Sequence, residues 1–223
     1  MSKILILGAM GSLGKHIVQQ AISADHEVSI MVRKLSSVPA EVREKVNVYE
    51  ADIAEMSTSA LANIFQVHDV VINTAGNVAQ GQTFTDLVDH IVTSLESIPE
   101  KERRVSWFLA GAALLDIDES GRRGVDLPQV SSTYWPHRVN FDRISQTTLD
   151  WRILCPGPLV DQPPIGLDRM RLSLERSPVA MAAFSEMVVP YADVAALMIA
   201  NIAPNNEMSR HRVGLALPVG MRV

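Results

Sequence analysis

The chain has 223 residues, 47% of them hydrophobic, and a formal net charge of -5. That size and apolar content suit one α/β domain with at most a small appendage. The acidic balance argues against a nucleic-acid partner, whose binding domains are usually basic. A single cysteine, Cys155, leaves no internal disulfide framework, so a reducing, cytoplasmic setting is expected. The opening apolar run is too short for a signal peptide and is broken by Gly11 to Lys15. No stretch reaches the length of a bilayer span, so no membrane partner is expected.

The first strand is predicted near residues 3–8, where Ile4-Leu5-Ile6-Leu7 runs into Gly8-Ala9-Met10-Gly11-Ser12-Leu13-Gly14. A helix over about 12–24 follows, with Leu13, Ile17, Val18, Ala21 and Ile22 at helical spacing. Strand, glycine turn and helix in that order open a dinucleotide-binding domain. Gly8 lets the chain turn sharply, Gly11 lets the backbone approach a pyrophosphate, and Gly14 lets the helix pack closely on the strand. The helix start adds free N–H groups and a positive dipole end. Gly8, Met10, Gly11, Ser12, Leu13 and Gly14 are therefore candidate phosphate-binding positions. The spacing is GxxGxxG rather than GxGxxG, and a tight turn that binds nothing is the alternative.

A second strand is predicted at Glu27–Val32, followed by Arg33-Lys34. An NAD site usually places an acid here for the ribose 2′-OH. Two cations instead favour a 2′-phosphate, hence NADP(H) over NAD(H); two solvated loop charges are the alternative. A third strand near 46–49 leads to Ala51-Asp52-Ile53. Asp52 could accept from the adenine amino group with Ile53 against the ring, or it could cap the next helix. That helix, about 57–66, has Ser57 or Thr58 as its cap. After the fourth strand, 69–73, the small residues Thr74-Ala75-Gly76 would let a cofactor lie close to the backbone, or form a simple turn.

A long amphipathic helix is predicted over about 83–97, with Phe84, Leu87, Val88, Ile91, Val92 and Leu95 on one face. That face could pack within the chain or form a homodimer face. The fifth strand, 104–109, runs into Ala110-Gly111-Ala112, and Gly111 joins the candidate cofactor positions. A polar loop over about 116–132 precedes a helix expected to begin near Pro136. The sixth strand is 150–155. Residues 157–188 read as a loop-rich cap, followed by a helix over about 191–202 and a last strand over about 212–217. This alternation predicts a doubly wound parallel sheet of Rossmann type as a single domain spanning 1–223.

Together these positions resemble the atypical branch of the short-chain dehydrogenase/reductase superfamily, and within it the NmrA-like group that includes NADH-flavin-reductase-type proteins. The likeness rests on the glycine turn, Val32-Arg33, Ala51-Asp52 and Thr74-Ala75-Gly76. It extends to Leu149-Asp150-Trp151-Arg152-Ile153-Leu154-Cys155-Pro156-Gly157-Pro158-Leu159 and to Val189-Pro190-Tyr191-Ala192-Asp193-Val194-Ala195. It implies a nicotinamide cofactor. Such dehydrogenases carry a Ser after strand five and a Tyr-x-x-x-Lys on the next helix, where the lysine lowers the tyrosine pKa. Here no Ser follows strand five. Tyr134 and Arg138 have the four-residue spacing, whereas counting back from Asp150 puts His137 at the lysine position and Thr133 at the tyrosine position. Tyr134 and His137 are the candidate catalytic residues. An aromatic pocket wall of Tyr134 and Trp135, and an ordinary helix-start role for His137, are the alternatives.

Loss of the triad suits hydride transfer to a flavin or quinone, whose reduced ring solvent can protonate. The expected function is therefore an NAD(P)H-dependent reductase of such a small-molecule acceptor. An NADP(H)-binding redox sensor, or a dehydrogenase or epimerase using Tyr134, are the alternatives. The six histidines are scattered and predict no metal site, with His211, beside Arg210 and Arg212, expected to be solvated. Met170, Met181 and Met187 could shape an adaptable pocket or simply pack, and Cys155 reads as a buried, inert thiol.

Overall fold

Continuous apolar runs alternate with helically spaced ones, and the backbone follows that alternation. The computed structural model describes residues 1–222, apart from the side chains of Met181 and Ala182; the reading of Met181 lies outside the described residues. In chain order the elements are β1 (Lys3–Leu7), α1 (Ser12–Ser23), β2 (Glu27–Val32), α2 (Ala40–Arg43), β3 (Asn47–Glu50), α3 (Thr58–Gln66), β4 (Val70–Asn73) and α4 (Gln82–Glu96). Then follow β5 (Val105–Leu109), α5 (Pro128–Ser145), β6 (Asp150–Cys155), β7 (Leu159–Val160), β8 (Arg171–Leu174), β9 (Val189–Pro190), α6 (Tyr191–Ala200) and β10 (His211–Ala216).

The main sheet has eight strands in the order β3-β2-β1-β4-β5-β6-β10-β8. All neighbours are parallel except β10 and β8. The chain winds outward from β1 to β3, then returns to β4 on the other side of β1, so the switch in strand order lies between β1 and β4. Ligands in such sheets bind beyond the strand ends at that crevice. Ile4, Leu5, Ile6 and Leu7 are all fully buried. A parallel strand covered on both faces has no polar side, hence the unbroken apolar run. One face packs on α1 and α6 through Ile17, Val18, Leu197 and Met198. The other packs on α3, α4 and α5 through Leu61, Phe65, Val88, Ile91 and Ile144. The predicted apolar face of α4 is used inside the chain, since Phe84, Val88, Ile91, Val92 and Leu95 belong to that second core.

The largest departure from the sequence reading is α5. It starts at Pro128 rather than near Pro136, and Pro128 occupies the first-turn position suited to proline. Pro136 lies inside the helix, where it lacks an N–H for the carbonyl of Ser132. Ser132 is exposed, so water can serve that carbonyl. His137 is therefore an interior helix residue and not a helix-start one.

The cap is more ordered than a loop. It supplies β8, the antiparallel edge of the main sheet, and β7, which pairs with β9. Its methionines do not share a pocket: Met170 packs in the core on the α1 and α6 side and Met187 in the opposite one. Two buried charges hold the cap down. The Asp193 carboxylate accepts from the amides of Ile165 (2.8 Å) and Gly166 (2.9 Å). The Arg212 guanidinium reaches Asp116 at 3.0 Å and Glu175 at 2.5 Å, and lies 4.9 Å from the Phe141 ring centre. The 210–212 segment is therefore not a solvated cluster: Arg212 is buried, and half-buried His211 bonds through Nδ1 to the Ser209 carbonyl at 2.8 Å.

Candidate nucleotide-binding site

The glycine turn sits at the end of β1, beside the switch point. Gly8 has a φ of 79°, a left-handed conformation that glycine adopts without strain. A Cβ on Gly8 would lie 2.7 Å from the Ala75 amide nitrogen, so the turn and the loop after β4 close on each other. A Cβ on Gly14 would lie 2.2 Å from the Gly8 carbonyl oxygen; this contact brings α1 directly onto the strand end. Gly11 is exposed, donates to the Gly8 carbonyl at 2.9 Å, and caps α1 with no side chain.

Helix geometry leaves the amides of Ser12, Leu13 and Gly14 without intrahelical acceptors. No acidic residue stands in the first turn to neutralise them. Ser12 is exposed, while Leu13 is buried and Met10 half-buried, so the last two can offer a ligand mainly their backbone. A cradle that a Cβ would fill, lined by unbonded N–H groups at a positive helix end, fits a pyrophosphate.

The loop after β4 is fixed from within. Thr74 donates to the Leu7 carbonyl from both its amide (3.0 Å) and its hydroxyl (3.0 Å). Asn73 Oδ1 accepts from the Ala75 amide at 3.0 Å. Gly76 has a φ of 96°, and a Cβ there would strike the Phe84 ring at 2.3 Å. After β2, Arg33 and Lys34 are both exposed. Among the described residues neither forms an ion pair. Glu50 accepts from the Leu35 amide at 2.8 Å, which fixes the turn that follows them. After β3, Asp52 Oδ1 accepts from the Ala54 amide at 3.0 Å, so Asp52 closes a local turn. It does not cap α3, whose cap is Ser57, accepting from the Ala60 amide. Ile53 is buried in the core on the α3 side.

At the open end of β5 stands a group of rings. Tyr134 is 38% exposed, and its ring stacks on His137 with centres 6.1 Å apart and planes 17° apart. His137 is 9% exposed and meets Phe84 edge-on at 5.9 Å. Burial pushes the His137 pKa down to about 4, so the imidazole is neutral at neutral pH. Gly111 lies against it: a Cβ there would be 3.4 Å from Nε2. Trp135 lies beside Gly81, where a Cβ would be 3.5 Å from its ring.

The helix thus pairs Tyr134 with His137, three residues on. Neither spacing of four is the pair brought together: Arg138 stands within electrostatic reach of Asp126, and Thr133 is exposed. Two residues at this site went unread in the sequence. Phe84 was legible only as a core position of α4. Asn140 follows His137 on the buried face of α5, a face visible only once the helix is started at Pro128. Cys155 is fully buried, with its thiol pKa pushed up by burial. Among the described residues no group of three or more His, Cys, Asp or Glu is placed to hold a metal ion, and no helix is long and apolar enough to cross a membrane.

Comparison with known proteins agrees with this fold. The chain is 27% identical over 199 residues to YwnB of Bacillus subtilis (strain 168), an uncharacterized protein, covering 86% of this chain and 88% of that one. Its fold matches that of a provisionally assigned NADH-flavin reductase of Streptococcus pneumoniae TIGR4 with a TM-score of 0.75 at 20% identity, over 97% of this chain and all of the other. It also matches the anaerobilin reductase ChuY of Escherichia coli O157:H7 with a TM-score of 0.72 at 17% identity, over 99% of this chain and 100% of that one. Residues 8–204 match the NAD(P)H-binding family, and the chain belongs to it.

Proposed function

We propose that this protein is an NADPH-dependent reductase of a flat, conjugated small molecule such as a flavin or quinone, working in a reducing, cytoplasmic setting. The observation that carries the reading is the stacked Tyr134–His137 pair at the strand ends of a nucleotide-binding sheet. It offers a planar, largely apolar wall where a Tyr-x-x-x-Lys pair would otherwise place a fixed charge. The reductases among the similar folds support the same reaction class.

A bound nicotinamide would supply a hydride to the acceptor. The chain's own residues bind and orient. The amides of Ser12, Leu13 and Gly14 take the pyrophosphate, with Gly8 and Met10 shaping the turn. Arg33 and Lys34, exposed and free of ion pairs among the described residues, take the 2′-phosphate by charge-assisted bonds and so favour NADP(H). Thr74, Ala75, Gly76 and Gly111 keep the backbone close to the cofactor, and Ala51 to Ile53 border the adenine. His137, neutral near pH 7, holds the acceptor by its ring and N–H rather than delivering a proton as imidazolium. The proton for the reduced acceptor comes from water at the half-open edge beside Tyr134.

The test is NADPH oxidation with a panel of flavins and quinones, alongside calorimetry with NADPH and NADH. Turnover above the protein-free rate, with NADPH bound more tightly, is expected. Tight NADPH binding with no turnover of any acceptor would replace catalysis by redox sensing, and no binding of either cofactor would end both readings.

A further inference from the structure

Beneath His137 lies a cavity of about 10 Å³, lined among others by Asn73, Phe108, Ala110, His137, Asn140 and Phe141. That is about the room one water needs, provided polar partners surround it. Three are present. His137 Nδ1 is buried with no hydrogen-bond partner among the described residues. Asn140 is 7% exposed, and its carboxamide, which is not closed off from water, forms no hydrogen bond within the protein among the described residues. Asn73 is 3% exposed; its Oδ1 is taken by the Ala75 amide, which leaves its NH2 group. Of the three, His137 Nδ1 is the one both closed off and unpaired, and a buried acceptor left unsatisfied is costly.

We propose that this cavity is a built one-water site, and that its water, shared by Asn73, Asn140 and His137, fixes His137 as the Nε2–H tautomer. The bonding follows from the donor and acceptor inventory. Asn73 can give the water only a donor. The water then has two hydrogens to place, and the side-chain acceptors left on these three lining residues are Asn140 Oδ1 and His137 Nδ1. With Nδ1 accepting, the imidazole proton sits on Nε2, the nitrogen that borders Gly111 at the open end of β5. His137 then presents an N–H donor to the cleft, suited to a carbonyl oxygen of a flavin or quinone. That last step rests on the reductase reading; the tautomer does not. Asn140 is a positioning residue that acts through His137.

The test is a long-range 1H–15N correlation spectrum of the 15N-labelled, cofactor-free protein at pH 7, with His137 assigned by its loss in His137→Gln. An unprotonated Nδ1 and a protonated Nε2 are expected. In folded Asn140→Leu, which keeps the branched shape, is bulkier and cannot hold the water, the signature should move toward a mixture of tautomers, and acceptor binding should weaken about fivefold, the loss of one neutral hydrogen bond. A wild-type His137 protonated on Nδ1 overturns the proposal whether or not the variant folds. So does an unchanged signature in folded Asn140→Leu. A protein with the expected tautomer that turns over no acceptor would refute the reductase reading and leave the water site standing.

Discussion

Acidification should destabilise this protein through His137 in a way that one substitution removes. In the folded chain the imidazole resists protonation down to about pH 4, because burial disfavours its charged form. Unfolded, it titrates near 6.5, as a solvated imidazole does. Above that pH both states are neutral and the group costs nothing. Between 6.5 and about 4 the unfolded chain binds a proton that the folded chain does not, so stability falls by about 1.4 kcal/mol per pH unit. Two units of that window, from 6.5 to 4.5, amount to about 2–3 kcal/mol, a large share of the roughly 5–15 kcal/mol that holds a typical domain together.

His137→Gln has no group to titrate there. Urea unfolding of both proteins at pH 7.5 and pH 4.5 should show the wild type losing about 2–3 kcal/mol more than the variant across that interval. His26 and His68 also have pKa values lowered by burial, but they are common to both proteins and cancel in the comparison. Equal losses in the two proteins would refute the claim that His137 is buried in its neutral form.

Four further outcomes are expected. Gly14→Ala forces a methyl toward the Gly8 carbonyl, where the Cβ would lie 2.2 Å away, so α1 must shift off β1; thermal melting should report a loss of about 1–3 kcal/mol, and calorimetry weaker binding of both nicotinamide cofactors. Replacing Arg33 and Lys34 together by Ala should lower NADPH affinity at least about tenfold and leave NADH affinity nearly unchanged, as expected for a phosphate-specific charged contact. Asp193→Asn cannot accept from both loop amides with a full charge; a loss of about 2 kcal/mol is expected, with faster proteolysis around residues 161–167. Tyr134→Phe keeps the stacking ring and should hold acceptor reduction within about twofold, whereas Tyr134→Ala should lower it about tenfold.

The strands were the most legible part of the sequence. Ile4 to Leu7, Glu27 to Val32 and Asp150 to Cys155 are apolar runs of strand length bounded by turn residues, and β2 and β6 have the predicted bounds. The jobs assigned to Gly8 and Gly14 agree with the backbone, because a sharp turn and a close helix contact are local demands. The start of α5 was not legible. Its first residues, Pro128-Gln129-Val130-Ser131-Ser132-Thr133, carry almost no apolar periodicity, which favours Pro136 as the start. Yet Leu127-Pro128, after the turn at Gly124–Asp126, carries the same first-turn signal. β8 escaped for a related reason. It is four residues long, its outward Leu172 and Leu174 are exposed, and it exists because β10 offers an open edge. Asp193 lies in the Val189–Ala195 motif, but its two amide partners lie 27 and 28 residues away, a distance that periodicity cannot bridge.

The position of α5 also decides what chemistry the site can support. A lysine one turn after the tyrosine would set a permanent positive charge beside the phenol and help it give up a proton to an alkoxide. Here the cation at that spacing, Arg138, stands near Asp126, and the ring under Tyr134 is a buried imidazole that is neutral at neutral pH. An isolated ketone needs a proton delivered as its oxygen gains charge, and among the described residues this arrangement has no charged group aimed at that task. A conjugated acceptor spreads the incoming charge over its own ring system and can wait for water. It asks of the protein a flat surface, a hydrogen bond and a place beside the hydride source. In the proposed reading, stacked rings over Gly111, at the end of β5 and one strand removed from the β1 glycine turn, would meet those three demands. They do so because one helix begins eight residues earlier than its proline suggests.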